Sequence, residues 1–293
     1  MTAGHPDAFL INLHLARACQ RMGWPMGVGS QRRQLIQQET SSSSDSYSSV
    51  PRQTTLNEWE QIRETAPDVI FFSNIGLAQA IQTPTENILP LIECLSAKAL
   101  IVHLNPLQEC LQPEGNPQFK GGLARLQKLA NELPVPLIVK ETGCGFSKKT
   151  LQKLIHSGVR VVDISGLGGT HWGRIEGARS SARSMHRQAA DTFQNWGVST
   201  VASLQEAQKL THRDFQLWAS GGVRSGLDAA KLIALGAERL GIAQPLLSCA
   251  SQGVAETIHF MHTIEFELKI ALFCSGCQNL QQLKEQGICT QTM

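Results

Sequence analysis

The chain has 293 residues, of which 42% are hydrophobic, and a formal net charge of +2. This charge gives no case for nucleic acid or a membrane surface as a partner, and no apolar run approaches the roughly 18 residues that would span a bilayer. A chain of this length can form one large hydrophobic core. No basic region followed by an apolar stretch marks a signal peptide, so a cytoplasmic location is expected.

The eight cysteines are scattered, and Cys274 and Cys277 form the only Cys-x-x-Cys pair. A chain with a full hydrophobic core needs no disulfide framework, and a zinc site would need a second pair of ligands at suitable spacing. We therefore expect reduced thiols and no bound zinc.

The N-terminal part of the chain predicts helices separated by a short strand and a serine-rich insertion. Residues 7–22 have apolar side chains at helical spacing, and Gly23 suits a helix C-cap. A strand is predicted at 26–30 and a helix from about 56 to 65. Residues 41–49 hold seven serines and nothing able to pack, which predicts a surface insertion over 41–55.

Seven near-continuous apolar runs each end in polar or glycine residues, the pattern of parallel strands covered by helices. They lie at 26–30, 69–76, 100–109, 137–145, 161–170, 216–219 and 240–243. The pattern predicts a TIM (β/α)8 barrel in which residues 1–293 form a single domain, since such barrels commonly have about 250 residues. Because the first residues resemble the loop after a strand, strand 1 is expected to be missing from this chain.

A glycine pair followed by an arginine is the clearest motif. One apolar run leads into Gly221, Gly222 and Arg224, and a helical stretch then leads to a second run that ends at Ala243 and Gln244. Glycine lets backbone N–H groups approach an anion, and Arg224 adds positive charge. The last two loops of such barrels often bind phosphate, so a phosphate site is predicted here.

Six motifs in chain order together resemble the type 2 isopentenyl-diphosphate isomerases. They are GVGSQR (27–32), SNIG (73–76), HLNPLQE (103–109), KETGCG (140–145), DISGLGGTHW (163–172) and SGGVRSGLDAAKLIALGA (220–237). The resemblance implies an FMN-dependent barrel enzyme of isoprenoid biosynthesis that interconverts isopentenyl and dimethylallyl diphosphate. The family's N-terminal portion, with an Arg-Lys pair that grips the substrate diphosphate, has no counterpart here. A chain without it is expected to bind diphosphate more weakly, and an inactive chain is one alternative.

The resemblance places Lys140 at the N1 and O2 edge of the flavin, where it stabilises the anionic reduced form. The alternative is a lysine that reaches the rim of the barrel without a ligand. Where the family usually has Met-Thr-Gly-Gly, this chain has alanine at position 3, whose methyl group either crowds the flavin or is tolerated. The implied FMN contacts are Thr2, Ala3, Ser30, Asn74, Lys140, Thr170, Gly221, Gly222, Arg224, Ala243 and Gln244. Each small polar residue alone also suits an ordinary turn or cap.

The segment HLNPLQE carries the substrate end of the predicted site. By resemblance Glu109 binds Mg2+ and Gln108 binds the substrate, and one carboxylate with phosphate oxygens and water makes a normal Mg2+ shell. His103 and Asn105 lie two apart on one predicted strand, so both would face the diphosphate. Alternatively, His103 is a hydrogen-bonded core residue. The implied substrate contacts are Ser30, Arg32, His103, Asn105 and Gln108.

The candidate catalytic residues are Trp172, Glu176 and His103. Isomerisation adds a proton to the alkene and removes one from the adjacent carbon, and an aromatic face stabilises the cationic species between them. Glu176 is a candidate proton relay, unless its loop simply exposes it. The resemblance implies that reduced FMN carries the proton through N5 without net redox change. It also implies that NADPH reduces the flavin initially and that the enzyme forms tetramers or octamers.

Two other functions stay open at this point. An FMN-dependent barrel oxidoreductase of the α-hydroxy-acid oxidase type would share the fold, although those enzymes carry a His-Gly-x-Arg-Gln segment where this chain has GLGGTHW. A truncated, inactive remnant would bind FMN weakly or only assemble with other subunits. Flavin content separates the remnant from the enzymes, and reaction with 2-hydroxy acids separates the oxidoreductase from the isomerase.

Overall fold

The computed structural model describes residues 5–36, 52–210 and 214–287, in which strands and helices alternate. The strands are β1 (Met26–Gly27), β2 (Phe71–Gly76), β3 (Ala99–Leu104), β4 (Leu137–Glu141), β5 (Val161–Asp163), β6 (Gln216–Ser220) and β7 (Arg239–Gly241). The helices are α1 (Ala8–Met22), α2 (Arg32–Ile36), α3 (Arg52–Thr65), α4 (Leu77–Gln82), α5 (Thr85–Glu93), α6 (Pro106–Leu111), α7 (Gly122–Glu132), α8 (Lys148–His156), α9 (Trp172–Arg179), α10 (Met185–Thr192), α11 (Thr200–Gln208), α12 (Gly226–Ala234), α13 (Gln244–Ala250), α14 (Val254–Cys274) and α15 (Leu280–Gln286). The seven predicted strands are confirmed within these residues.

Capping side chains explain why several helices begin where they do. Five of them follow a serine or asparagine whose side-chain oxygen accepts a backbone N–H of the first turn, and these N-caps are Ser147, Ser184, Ser199, Ser225 and Asn279. Such caps each stabilise a helix by about 1 kcal/mol. At the other end of α1, Gly23 adopts a left-handed φ of 67° and its N–H donates to the carbonyl of Cys19, as the predicted C-cap requires.

The chain divides into two compact units, of which the first comprises Met1–His103, Phe119–Ile138 and Pro245–His259. In this unit β1, β2 and β3 pair in parallel, with Met26 opposite Phe71 and Gly76 opposite His103. Apolar side chains of the strands and helices form its core, and those that are almost fully buried include Phe71, Ile75, Ile88, Leu91, Leu100, Leu126 and Leu129.

The second unit comprises Leu104–Gln118, Val139–Gln244 and Phe260–Met293. Here β5, β6 and β7 pair in parallel, with Asp163 opposite Trp218 and Ser220 opposite Gly241. Buried residues of its strands and of α8 contribute to its core, including Val139, Leu151, Leu154, Val162, Ile164 just after β5, and Ala219. A further cluster joins α12 and α15 through Ala230, Ile233, Ala234, Cys277 and Leu283.

Most of the predicted strands are longer than the observed ones, and the difference is largest in three of them. The run at 100–109 ends as a strand at Leu104, because Asn105 is the residue before a helix that has Pro106 at its first position, where a missing N–H costs nothing. The prediction that His103 and Asn105 share a strand face was therefore wrong. β4 and β5 also end early, because Gly143 and Ser165 take positive φ values of 116° and 41° and turn the chain.

The predicted serine-rich insertion over 41–55 lies mostly outside the described residues. Its last four residues were predicted wrongly, because α3 already begins at Arg52. None of the described helices combines the length and apolar character needed to cross a membrane.

Candidate active site

Four predicted site residues form one hydrogen-bonded network on α6 and α9 of the second unit. Asn105 Nδ2 donates to Gln108 Oε1 and to Glu109 Oε1, each at 3.0 Å. Gln108 Nε2 donates to Glu176 Oε1 at 3.1 Å. The exposed fractions of Glu109 and Glu176 are only 4% and 1%, so the idea that a loop exposes Glu176 was wrong. Buried carboxylates need hydrogen bonds, and this network supplies them.

Glycines in α9 let its neighbours approach closely enough for this network to form. A Cβ atom at Gly173 would lie 2.9 Å from Leu107 Cδ2 of α6, and one at Gly177 would lie 2.5 Å from Ala190 Cβ of α10. Larger residues at these positions would separate the helices, and with them Gln108 and Glu176.

The side-chain carbonyl of Asn105 is a candidate ligand contact. Its Oδ1 is buried and has no hydrogen-bond partner among the described residues, while the neighbouring Glu109 Oε2 accepts the N–H of Asn116 at 2.6 Å. A buried acceptor is costly when unpaired, so a cation or a ligand donor fits beside it. Within the described ranges no three His, Cys, Asp or Glu side chains are grouped to hold a metal. A cation bound at Glu109 would thus take its other ligands from water and substrate.

Lys140 is held at the end of β4 by two oxygen atoms. Its ammonium group donates to the backbone carbonyl of Glu141 at 2.7 Å and to Ser165 Oγ at 3.4 Å. An ammonium group has three N–H donors. Beyond these two contacts a third donor remains for a bound group, so the environment of Lys140 fits an electronegative ligand edge.

Glu141 organises the loop that follows Lys140. Its Oε2 accepts backbone N–H groups from Thr142, Cys144 and Gly145 at 2.6, 2.5 and 3.2 Å. Burial raises the pKa of Glu141 to about 7, and the hydrogen bonds to the loop and the charge of Lys140 act in the opposite direction.

Asp163 is hydrogen-bonded both to Ser165, which contacts Lys140, and to Ser220, which precedes the glycine pair. Both of its carboxylate oxygens lie 2.9 Å from Ser220 Oγ, and Ser220 directly precedes Gly221. The N–H of Ser165 lies 3.3 Å from Oδ1. Burial raises the pKa of Asp163, while the positive charge of Lys140 opposes this shift.

The predicted phosphate motif is built from two backbone loops in close contact. Gly221 and Gly222 have φ values of 97° and 91°, and a Cβ atom at Gly222 would lie 2.7 Å from the carbonyl oxygen of Gly168. Only glycine fits such a conformation without strain. The guanidinium of Arg224 donates to the carbonyl oxygens of Gly222 and Gly168 at 3.0 and 2.7 Å, which fixes the two loops together.

Four more predicted contacts of this unit lie near loop ends. Thr170 is half-buried, and its carbonyl oxygen packs against Gly143, where a Cβ atom would lie 2.2 Å away. Trp172 is half-buried at the first position of α9, and Ala243 and Gln244 are exposed at the start of α13. The FMN contacts of Thr170, Ala243 and Gln244 and the catalytic role of Trp172 stay predictions.

His171 and Cys144 lie side by side but do not form a nucleophile and base pair. The Nδ1 atom of His171 accepts the N–H of Arg174 at 3.2 Å, so the ring proton lies on Nε2 and points to Trp196 O at 3.3 Å and Cys144 Sγ at 3.9 Å. A protonated Nε2 cannot take the thiol proton. Burial also raises the pKa of Cys144 to about 12, so the thiol stays neutral.

In the first unit the predicted site residues Asn74 and His103 are hydrogen-bonded to each other. Asn74 Nδ2 donates to the carbonyl of Val28 at 3.0 Å, so its Oδ1 accepts from His103 Nδ1 at 2.9 Å. This arrangement places the imidazole proton on Nδ1. His103 is therefore a hydrogen-bonded strand residue that is only half-buried.

Ser30 and Arg32 flank the start of α2 and are both half-buried. The intervening Gln31 is fully buried, and its Oε1 accepts the N–H of Asn74 at 3.0 Å. The predicted FMN contacts Thr2 and Ala3 lie outside the described residues.

Sequence reasoning missed three charged residues around this site: Glu141, Asp163 and Arg179. Glu141 directly follows Lys140 and precedes a Thr-Gly turn, where carboxylates often accept loop N–H groups. Asp163 ends a buried strand, and an acid inside an apolar run is a signal of a required hydrogen-bond acceptor. Arg179 lies three residues after Glu176, one helical turn away.

Comparison with known sequences identifies the relatives of this chain. Residues 102–290 match the family described as FMN-dependent dehydrogenase. The isopentenyl-diphosphate delta-isomerase of Legionella pneumophila (strain Corby) is 49% identical over 287 residues, which cover 98% of this chain and 79% of that protein. The protein of the same name from Bdellovibrio bacteriovorus is 47% identical over 288 residues, with 98% and 78% coverage. That from a Nostoc species is 39% identical over 288 residues, with 98% and 77% coverage.

Solved structures agree on the fold. The flavin-binding domain of flavocytochrome b2 from baker's yeast matches with a TM-score of 0.61 at 17% identity, covering 94% of this chain and 63% of that chain. Mandelate oxidase with benzoyl-formic acid matches with a TM-score of 0.57 at 15% identity, covering 96% and 72%. These likenesses concern the fold alone and confirm the TIM-barrel fold class, of which the described residues contain seven parallel strands. From its identity and coverage, the chain belongs to the isopentenyl-diphosphate delta-isomerase family, among the FMN-dependent dehydrogenase-type barrels.

Proposed function

We propose that this chain is an isomerase that interconverts isopentenyl diphosphate and dimethylallyl diphosphate in isoprenoid biosynthesis. The observation that carries the proposal is the buried network on α6 and α9, in which Asn105 and Gln108 together link the carboxyl groups of Glu109 and Glu176. A metal-binding acid and a proton-handling acid held in one network suit a substrate that has a diphosphate at one end and an alkene at the other.

FMN is the proposed cofactor, and two parts of the second unit fit it. The glycine-lined loops at Gly221 and Gly222 suit its phosphate group, because backbone without side chains can approach an anion closely. The ammonium group of Lys140 has a donor left for the ring edge. When bound and reduced, FMN supplies a ring nitrogen that can take up and return a proton. The remaining proposed contacts are Thr2, Ala3, Ser30, Asn74, Thr170, Arg224, Ala243 and Gln244.

Glu109 is the proposed Mg2+ ligand, and phosphate oxygens and water complete the metal shell. The unpaired Oδ1 of Asn105 lies in the same network and supports a ligand there. Gln108 is already oriented by Asn105 and Glu176, so its position is fixed before substrate binds. The other proposed substrate contacts are Ser30, Arg32 and His103.

The residues proposed to act on the alkene end are Trp172, Glu176 and His103. The indole face of Trp172 stabilises positive charge on the substrate carbon. Glu176 Oε1 is held by Gln108, and each carboxylate oxygen keeps a further lone pair with which it can accept a proton. His103, with its proton fixed on Nδ1, offers a defined orientation towards a ligand.

Further properties are proposed from family membership. NADPH would supply the electrons that reduce the flavin before the first turnover and would not be consumed afterwards. The protein acts as a homo-oligomer, a tetramer or an octamer, in the cytoplasm, and residues 1–293 act as a single domain.

The test is anaerobic turnover of carbon-13-labelled isopentenyl diphosphate with FMN, Mg2+ and NADPH, followed by NMR. Dimethylallyl diphosphate is expected to form, and Glu176→Gln is expected to lose turnover on the order of 100-fold, the size of one acid–base contribution. Glu206→Gln, on α11, serves as a control because Glu206 pairs with Lys209 at the surface. Reduction of the bound flavin by 2-hydroxy acids, without isomerisation, would replace this proposal with the oxidoreductase alternative.

A further inference from the structure

Arg179, in the last turn of α9, contacts the buried carboxylate of Glu176. Its Nη1 donates to Glu176 Oε2 at 2.8 Å, whereas Gln108 donates to the other oxygen, Oε1, at 3.1 Å. The carboxylate is 1% exposed but the arginine side chain is 55% exposed. Arg179 therefore supplies the positive charge next to a buried acid while its own guanidinium stays in contact with water, which lowers the cost of burying the acid.

The second arm of Arg179 contacts the loop that follows α6. Its Nη2 lies 3.5 Å from Oε1 of Glu114. The same loop returns to α6, because the N–H of Asn116 donates to Glu109 Oε2 at 2.6 Å. No side chain fits at Gly115, where a Cβ atom would lie 2.1 Å from the carbonyl oxygen of Glu109. One short loop thus contacts both Glu109 and the arginine that holds Glu176.

The orientation of Glu176 depends on Arg179 because the Gln108 amide is already fixed. The side-chain Oε1 of Gln108 accepts a hydrogen bond from Asn105 Nδ2 at 3.0 Å, and this directs Nε2 of Gln108 towards Glu176. Without the guanidinium, Oε2 of Glu176 would be a buried acceptor that has lost its charged partner. Such a carboxylate is destabilised and rotates or rearranges to find another donor.

We propose that Arg179, held by Glu114, is a positioning residue for the isomerisation: it fixes the Glu176 carboxylate and, through Gln108 and Asn105, its relation to Glu109. This inference rests on the proposed function. Because Arg179 acts through the Glu176 carboxylate and not on the substrate, its loss is expected to lower the turnover number more than substrate binding.

The test compares Arg179→Met, Arg179→Lys and Glu114→Gln with the unaltered chain. Misplacing a reacting group by about 1 Å can cost on the order of 100-fold in rate, so Arg179→Met is expected to lower kcat by about that factor while KM changes less than about twofold. Arg179→Lys is expected to recover part of the loss, since one ammonium can reach Glu176 but cannot also reach Glu114. Glu114→Gln is expected to lose less than Arg179→Met.

The matched control is Arg187→Met on α10. Arg187 Nε lies 3.2 Å from Asp191 Oδ2, both side chains are 40% or more exposed, and within the described residues neither is hydrogen-bonded or ion-paired to Glu176. Its loss is expected to leave kcat unchanged. Melting temperature and FMN content are measured for every variant.

A folded Arg179→Met with the kcat of Arg187→Met overturns the inference, as does a rise in KM alone. If Arg179→Met does not fold, Arg179→Lys and Glu114→Gln decide: full kcat in both overturns the inference, and a kcat loss in folded Arg179→Lys supports it. Absence of turnover in the unaltered chain is a separate result that refutes the proposed function itself.

Discussion

Replacing Glu141 by glutamine should remove a pH-dependent loss of stability. Burial raises the pKa of this carboxyl group from its ordinary value of 4.5 to about 7. Below both values the folded and unfolded chains are equally protonated at this site. Between them the unfolded chain has already lost the proton and the folded chain keeps it, so the free energy of unfolding falls as pH rises. Above pH 7 both are ionised and the loss is complete.

The size of the effect follows from the two pKa values. Each pH unit between them costs about 1.4 kcal/mol, so the full range from 4.5 to about 7 costs about 3 kcal/mol. Glutamine at position 141 keeps a carbonyl oxygen for the N–H groups of Thr142, Cys144 and Gly145 but has no proton to lose. The difference in stability between Glu141→Gln and the unaltered chain should therefore shift by about 3 kcal/mol in favour of the variant between pH 4.5 and pH 7.5.

The assay is urea unfolding of both chains at half-unit steps from pH 4.5 to pH 8. The control is Glu132→Gln. Thr85 donates to Glu132 and lowers its pKa, with Lys128 adding to the effect. The Glu132→Gln substitution should therefore leave the pH dependence of the free energy of unfolding unchanged between pH 5 and 8. Parallel pH curves for Glu141→Gln and the unaltered chain would refute the reasoning. They would mean that the three loop N–H groups compensate the burial of the carboxylate fully.

Three further predictions rest on the same unit. Gly221→Ala should destabilise the fold by at least about 2 kcal/mol and reduce FMN content, because a Cβ atom would lie 2.3 Å from Gly166 O at a φ of 97°; urea unfolding and flavin absorbance measure both, and an unchanged midpoint would contradict it. Ser165→Gly should stabilise the fold by up to about 1 kcal/mol, because a left-handed φ of 41° strains serine; a lower melting temperature would show that its hydroxyl contact with Lys140 outweighs the strain. Iodoacetamide at pH 8 should leave Cys144 unmodified, since its pKa is raised to about 12; its early modification, seen by mass spectrometry, would contradict the neutral thiol.

The number and order of strands could be predicted from the sequence, because each buried parallel strand is an apolar run that is hard to mistake. Their ends could not. Apolar residues continue past Leu104 into a helix, and only Pro106 signals the change. Likewise, nothing in the run that contains Asp163 shows that Ser165 turns left-handed, because this conformation depends on tertiary contacts.

The residue types of the candidate site followed from motifs, whereas their mutual contacts did not. Resemblance pointed to Gln108, Glu109 and Glu176, but the hydrogen bond that joins α6 to α9 connects residues 68 positions apart and needs the folded structure. Arg179 and Glu141 were overlooked because each acts on a neighbouring residue rather than on a ligand. Such supporting residues carry no motif of their own, although spacing along a helix hints at Arg179.

The two glycines of α9 limit how this protein can be engineered for heat resistance. Replacing a helical glycine with alanine usually adds close to 1 kcal/mol and is among the first changes tried. Here the added methyl at Gly177 would lie 2.5 Å from Ala190 Cβ, and at Gly173 it would meet Leu107. Thermostabilising libraries should therefore leave this helix unchanged and vary the exposed positions of other helices, such as α3 and α15.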